Sequence, residues 1–180
     1  GSEMCIRDRP ELFKLLEENA EMLIDEKFQH GAVPVRVINL AITDMIEELG
    51  PNLWEKRLDR CVDFGHTFSP VIEMANIPNL LHGEAVALDC LLSSCIAFIR
   101  GYIDVNKLKR IFEVAKRLKL KTFHPDFTNR KMLKESLDDA IKHRNGNQYA
   151  PLPVNIGQYR IVNDITDDEI KFAVDVFEEI

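Results

Sequence analysis

The chain has 180 residues, 46% hydrophobic and 29% charged, which is enough apolar material for one full core and leads to the expectation of a single globular domain. A formal net charge of −7 gives no electrostatic footprint for nucleic acid or an anionic membrane, although a local basic pocket could still hold a phosphate. Four cysteines, Cys5, Cys61, Cys90 and Cys95, lack paired spacing and read as buried thiols in a reducing, cytoplasmic compartment, which argues against a disulfide framework.

Residues 1–9 have neither the apolar centre of a signal peptide nor a period that joins the next segment. They read as a foreign leader, a Gly-Ser scar followed by an adapter-like stretch, so the natural chain is expected to begin further upstream. From Pro10 to about Gln29, Leu12, Phe13, Leu15, Leu16, Ala20, Leu23 and Ile24 recur at helical spacing, with Pro10 suited to a first turn and His30-Gly31 as the stop. Val35, Val37, Ile38, Ala41, Ile42, Met45, Ile46 and Leu49 form a second apolar face closed by Gly50-Pro51, and Leu53, Trp54 and Leu58 begin a third short helix. These helices are expected to bury against one another.

His82 to Gly101 is apolar for nearly a membrane-spanning length, but Glu84, Asp89 and Arg100 within it favour the central buried helix of a domain over a span. Asp104 to Leu118 and Asn129 to His143 are amphipathic helices. Two short β-prone pieces between Pro151 and Val162 form at most a small hairpin, and Thr166 to Glu169 is a capping box that starts a last helix. The expected fold is therefore mainly α with a minor β-hairpin, one domain over 10–180. No G-x-G-x-x-G follows a strand, so a dinucleotide site complete within this chain is not expected.

Two histidines carry the chemistry. His66 in Asp-Phe-Gly-His-Thr-Phe-Ser-Pro (63–70) and His82 in Leu-His-Gly-Glu-Ala-Val (81–86) each stand at the start of an apolar helix beside a glycine that permits close backbone approach. Neutral imidazoles are good ligands for a borderline-soft divalent metal, and two of them give half of a catalytic zinc site. The other reading is a pair of cap or core histidines, the reading that His30 and His124 receive. Glu84 could fix a tautomer of His82 from behind the ring, or itself ligate. Thr67 and Ser69 lack the oriented base and oxyanion loop of a hydrolytic nucleophile.

The two segments together resemble the metal-binding core of the dehydroquinate synthase family, the sugar phosphate cyclases, and the resemblance runs from about Pro10 to the end. It implies a helical C-terminal domain that works with an N-terminal NAD-binding domain, a homodimer, and zinc or cobalt held by two histidines and a glutamate. His66 and His82 match the histidines, whereas the glutamate belongs upstream of Pro10. The implied reaction is lyase chemistry: NAD-dependent transient oxidation, elimination of phosphate, reduction and aldol cyclisation.

Dehydroquinate synthase itself usually has asparagine where this chain has Asp63, a second histidine at Pro70 and a lysine at Met45. These departures point away from its carboxylate-bearing substrate. The pattern is similar instead to the branch that makes 2-epi-5-epi-valiolone from sedoheptulose 7-phosphate, whose distinguishing Leu, Asp and His match Leu49, Asp63 and His143. Dehydroquinate synthase and desmethyl-4-deoxygadusol synthase activities are the alternatives within the family. The resemblance implies that Asp63 accepts hydrogen bonds from substrate hydroxyls and that Lys142, His143 and Arg60 face the phosphate or sugar, with Arg60 one position out of register.

Each assignment has a structural counterpart. Asp63 can cap a turn, Lys142, His143 and Arg144 can simply complement a helix C-terminus, and Met45 and Leu49 can be core. A reading of another class also stands: a catalytically inactive helical module that only packs or dimerises, holding metal weakly and exposing an apolar face.

Overall fold

The computed structural model describes residues 10–54 and 56–180, so the proposed leader lies outside the described residues. In chain order the elements are α1 (Pro10–Asp25), α2 (Ala32–Leu49), α3 (Ser69–Ala75), α4 (His82–Ile99), α5 (Val105–Arg117), α6 (Arg130–His143), β1 (Ala150–Asn155), β2 (Gln158–Val162) and α7 (Asp167–Glu179). Short 3-10 turns lie at Gly50–Asn52, Cys61–Asp63 and Pro125–Phe127.

The centre is α4. Every residue from Ala85 to Ala97 is buried, and a helix that is apolar all round has to be enclosed on all sides. α3, α5, α7 and β1 pack around it. Phe68, Ile72, Leu88, Leu92, Ile96, Leu108 and Phe127 are among the side chains completely removed from water there. The membrane-span reading of this segment gives way to a core helix, as expected from its sequence. At its C-terminal end Arg100 donates to Glu169 at 2.6 Å and to Asp164 at 2.7 Å, tying α4 to the start of α7. There the expected capping box forms: Thr166 Oγ1 accepts from the Glu169 backbone N–H, and Glu169 accepts from that of Thr166.

β1 and β2 pair antiparallel, with Ala150 opposite Val162 and Leu152 opposite Arg160, a bulge between Pro153 and Asn155, and Ile156-Gly157 as the turn. Asp104 and Asn129 cap α5 and α6 through Lys107 N–H and Met132 N–H. A second, smaller core of Leu12, Leu23, Val37 and Cys61 joins α1 to α2. α1 is fastened to α5 by Arg110 on Glu17 and Arg117 on Glu21.

Three expectations need correction. α1 stops at Asp25 rather than near Gln29, because Lys27 and Phe28 turn into the left-handed region and Phe28 N–H bonds back to the Leu23 carbonyl at 2.8 Å. The described residues of this segment, Leu53, Trp54 and 56–58, form no helix. Asn52 instead closes a loop by bonding both the N–H and the carbonyl of Arg57, and Leu53 and Trp54 are left 73% and 86% exposed. Finally, only part of the α2 apolar face is buried: Val37 packs on α1, whereas Val35, Ile38, Ile42 and Ile46 are exposed. Cys61, Cys90 and Cys95 are buried thiols outside any disulfide, and burial pushes the Cys95 thiol well above its ordinary range.

Candidate metal centre

His66 sits in the segment between the Cys61–Asp63 turn and α3, and its backbone is fixed from four directions. Gly65 has φ +81, and a Cβ there would lie 2.7 Å from Cys90 Sγ and 2.9 Å from the Val86 carbonyl, so only glycine lets the segment lie directly on α4. Ser69 Oγ donates back to the Gly65 carbonyl at 2.6 Å. Asp89, wholly buried on α4, accepts from the backbone N–H groups of Phe68 and Ser69 at 2.6 and 2.8 Å and from Ser93 Oγ at 3.0 Å. Burial pushes the Asp89 pKa up, against the pull of those hydrogen bonds and the field of His66. Arg144 Nη2 donates to the His66 carbonyl at 2.8 Å.

His82 is the first residue of α4, and the fold brings its ring to 5.5 Å from that of His66, centroid to centroid, at an interplanar angle of 49°. Two imidazoles sharing a tetrahedral zinc, with Zn–N bonds of about 2.1 Å, hold their centroids about 5 Å apart. The Nδ1 atoms are already engaged, His66 with the Phe64 carbonyl at 3.3 Å and His82 with Glu73 Oε2 at 2.8 Å, which leaves the two Nε2 atoms for an ion. The pair therefore fits a shared metal. Among the described residues no group of three or more His, Cys, Asp or Glu side chains is placed to hold a metal ion.

Glu84 does not take the place expected for it. Its carboxylate accepts from the Leu81 N–H and pairs with Lys121, both at 3.0 Å, and these two contacts, the Leu81 N–H first, hold its pKa below the ordinary range. A carboxylate three residues into the first turn is spent on closing that turn. The acceptor on His82 comes from Glu73 on α3.

Beside His66 lies a cavity of about 330 Å³ whose lining includes Arg60, Asp63, His66, Pro70, His143 and Arg144. Asp63 is at its polar centre. Arg60 donates to Asp63 Oδ1 at 2.8 Å, Arg144 Nε stands 3.8 Å from Oδ2, and Oδ2 is buried without a hydrogen-bond partner. The carboxylate thus sits between two guanidinium groups and does not cap the turn. Arg144 is itself buried, and burial pushes its pKa down while Asp63 and Asp89 push it back up. His143 is exposed on the rim, 3.6 Å from Asp139. Lys142 is exposed and outside the lining, one helical position round from His143. Met45 and Leu49 are half-buried on α2 and also outside the lining, and Met45 packs on the core that includes Cys61.

The cavity thus brings Arg60, Asp63, His66, Pro70 and His143 together, and His82 lies outside its lining with its ring against that of His66. Sequence reasoning did not assign Glu73, Asp89 or Arg144. A buried aspartate inside an apolar helix was the available signal for Asp89. Arg144 was visible only as one of three basic residues at a helix end.

A profile of the 3-dehydroquinate synthase C-terminal family matches residues 3–142. The chain belongs to that family. Among relatives, it is 49% identical over 168 residues to 2-epi-5-epi-valiolone synthase of an Actinoplanes species, covering 91% of this chain and 42% of the relative. It is 35% identical over 171 residues to demethyl-4-deoxygadusol synthase of Trichormus variabilis, covering 91% and 42%. The solved 2-epi-5-epi-valiolone synthase of Streptomyces hygroscopicus subsp. jinggangensis, with NAD+ and Zn2+ bound, matches with a TM-score of 0.94 at 43% identity, over 98% of this chain and 49% of that one. The chain spans less than half the length of these relatives. The expected fold, a helical domain of the dehydroquinate synthase type with a minor hairpin, is the fold observed.

Proposed function

We propose that this chain is the metal- and substrate-bearing domain of a sugar phosphate cyclase that converts sedoheptulose 7-phosphate to 2-epi-5-epi-valiolone with loss of phosphate. The observation that carries the reading is the His66–His82 pair standing at 5.5 Å beside a cavity that holds Asp63, Arg60 and His143. Two relatives named 2-epi-5-epi-valiolone synthase are 49% and 45% identical to the chain.

His66 and His82 would hold zinc or cobalt, which would supply a Lewis acid, and NAD bound by a further domain would supply reversible hydride transfer. Asp63 presents a buried acceptor, Oδ2, to a sugar hydroxyl, and its two guanidinium neighbours balance its charge in that position. Arg60 and His143 face the same space and offer donors to phosphate or sugar oxygens. Pro70 occupies the cavity wall with an apolar ring, which suits a substrate without a carboxylate. The protein would work as a cytoplasmic homodimer, and its buried thiols suit a reducing compartment. With two metal ligands among the described residues, the 180-residue chain alone would be inactive.

The deciding experiment is phosphate release by the polypeptide that joins this domain to its NAD-binding partner, supplied with NAD and zinc or cobalt. Sedoheptulose 7-phosphate and 3-deoxy-arabino-heptulosonate 7-phosphate are offered separately. Turnover of the first alone, with 2-epi-5-epi-valiolone as the product, supports the reading. Demethyl-4-deoxygadusol as the product moves the assignment to that branch, and turnover of the second alone overturns it in favour of dehydroquinate synthesis.

A further inference from the structure

We infer that Glu73 is the positioning residue of the metal centre: its carboxylate sets the tautomer and ring orientation of His82 so that Nε2 is presented to the ion. The inference rests on the reading of His66 and His82 as metal ligands.

Glu73 Oε2 lies 2.8 Å from His82 Nδ1, across the gap between α3 and α4. Its side chain is 24% exposed and that of His82 64% exposed. An exposed pair of this kind contributes little to fold stability, so stabilising the α3–α4 contact is a weak reason for it. Its consequence for the imidazole is large. A carboxylate is an acceptor only, so Nδ1 has to carry the proton and Nε2 keeps its lone pair. A free histidine side chain favours the opposite tautomer, with the proton on Nε2, which cannot ligate through that nitrogen.

The two histidines are prepared by different means. His66 is oriented by backbone, through the Phe64 carbonyl at 3.3 Å and the constraints around Gly65, whereas His82 stands at an exposed helix start and meets a carboxylate instead. Glu73 lies in the first helix after the His66 segment, so one short stretch of chain supplies one ligand and orients the other. The side chain expected to do this, Glu84, is turned to Leu81 and Lys121.

The test reads the tautomer directly, by long-range 1H–15N correlation spectra of the metal-free chain at a pH where imidazole is neutral, together with titration by Co2+ alone. The wild-type chain is expected to show His82 protonated at Nδ1. Glu73→Ala should invert that pattern and weaken Co2+ binding about 10–100-fold, while Glu73→Gln, which keeps an acceptor oxygen, should retain the tautomer and recover part of the affinity. Thermal unfolding of each variant identifies any that fails to fold. An Nε2-protonated His82 in the wild-type chain, or an unchanged tautomer and Co2+ affinity in Glu73→Ala, overturns the inference. If His82→Ala binds Co2+ as well as wild type, the metal reading itself fails, and the tautomer measured without metal keeps the two failures apart.

Discussion

Arg144 Nη2 reaches the backbone carbonyl of His66 at 2.8 Å, while Nη1 of the same guanidinium holds the carbonyl of Gln148 at 2.7 Å. One side chain at the end of α6 therefore joins the His66 segment to the approach of β1. Gln148 continues the connection, donating to the Ile165 carbonyl and accepting from its N–H.

Removing this guanidinium takes the donor from the His66 and Gln148 carbonyls and one of the two cations beside Asp63, so Arg144→Met should destabilise the fold by about 3 kcal/mol in urea unfolding. Arg144→Lys should restore little of that loss, because one ammonium cannot serve two carbonyls in the geometry of a planar fork. A lysine variant as stable as wild type would show that charge alone is required.

Gly65→Ala should destabilise by more than about 2 kcal/mol, since it adds strain at positive φ to a contact with the Val86 backbone that cannot yield. Gly83, in the first turn of α4 with nothing within 4 Å of where a Cβ would stand, is the control. Gly83→Ala should leave stability unchanged or raise it by up to about 1 kcal/mol. Equal denaturation midpoints for the two variants would contradict the close approach of the His66 segment to α4.

The Arg100–Glu169 pair predicts a specific acid response. Burial raises the Glu169 pKa, but the Arg100 guanidinium and the Thr166 N–H outweigh it and hold the carboxyl below the ordinary range. The unfolded chain takes up this proton at about pH 4.3, before the folded chain does. The stabilisation is therefore complete above that value and is lost as pH falls through the lower, folded value. The stability gap between wild type and Glu169→Gln should be full at neutral pH and shrink in acid. A gap independent of pH would assign the effect to capping geometry.

In the polypeptide proposed above to act on sedoheptulose 7-phosphate, Asp63→Ala should lower kcat/KM for that substrate by about 10–100-fold, the worth of a charged hydrogen bond to a sugar hydroxyl. Unchanged kinetics would remove Asp63 from the substrate site and leave it as the counter-ion of Arg60 and Arg144.

Helices with unbroken apolar periods were legible in the sequence, and so were the hairpin and the Thr166–Glu169 cap, because each is written in residues close together along the chain. The α2 face was only half legible: periodicity reports that Val37 and Ile42 are apolar, not that α1 covers the first and leaves the second in water. Leu53 and Trp54 misled for the same reason, since helical spacing carries no record of the Asn52–Arg57 loop closure. At the candidate site, motif and resemblance single out His66, His82 and Asp63, and the packing sets His66 beside both of the others. The partners that orient them could not be read that way. Glu73 and Glu84 are both acidic residues close to His82 in sequence, and only the packing of α3 on α4 decides which one meets the ring.

The Gly65 contact separates the placing of His66 from the make-up of the cavity beside it. The first histidine is located by main chain pressed on a core helix, by a buried carboxylate and by a guanidinium clamp, none of which involves Pro70 or His143 on the cavity wall. Pro70 and His143 can therefore be exchanged while the His66 main chain stays where it is, so the make-up of the cavity wall can vary independently of the placing of the imidazole.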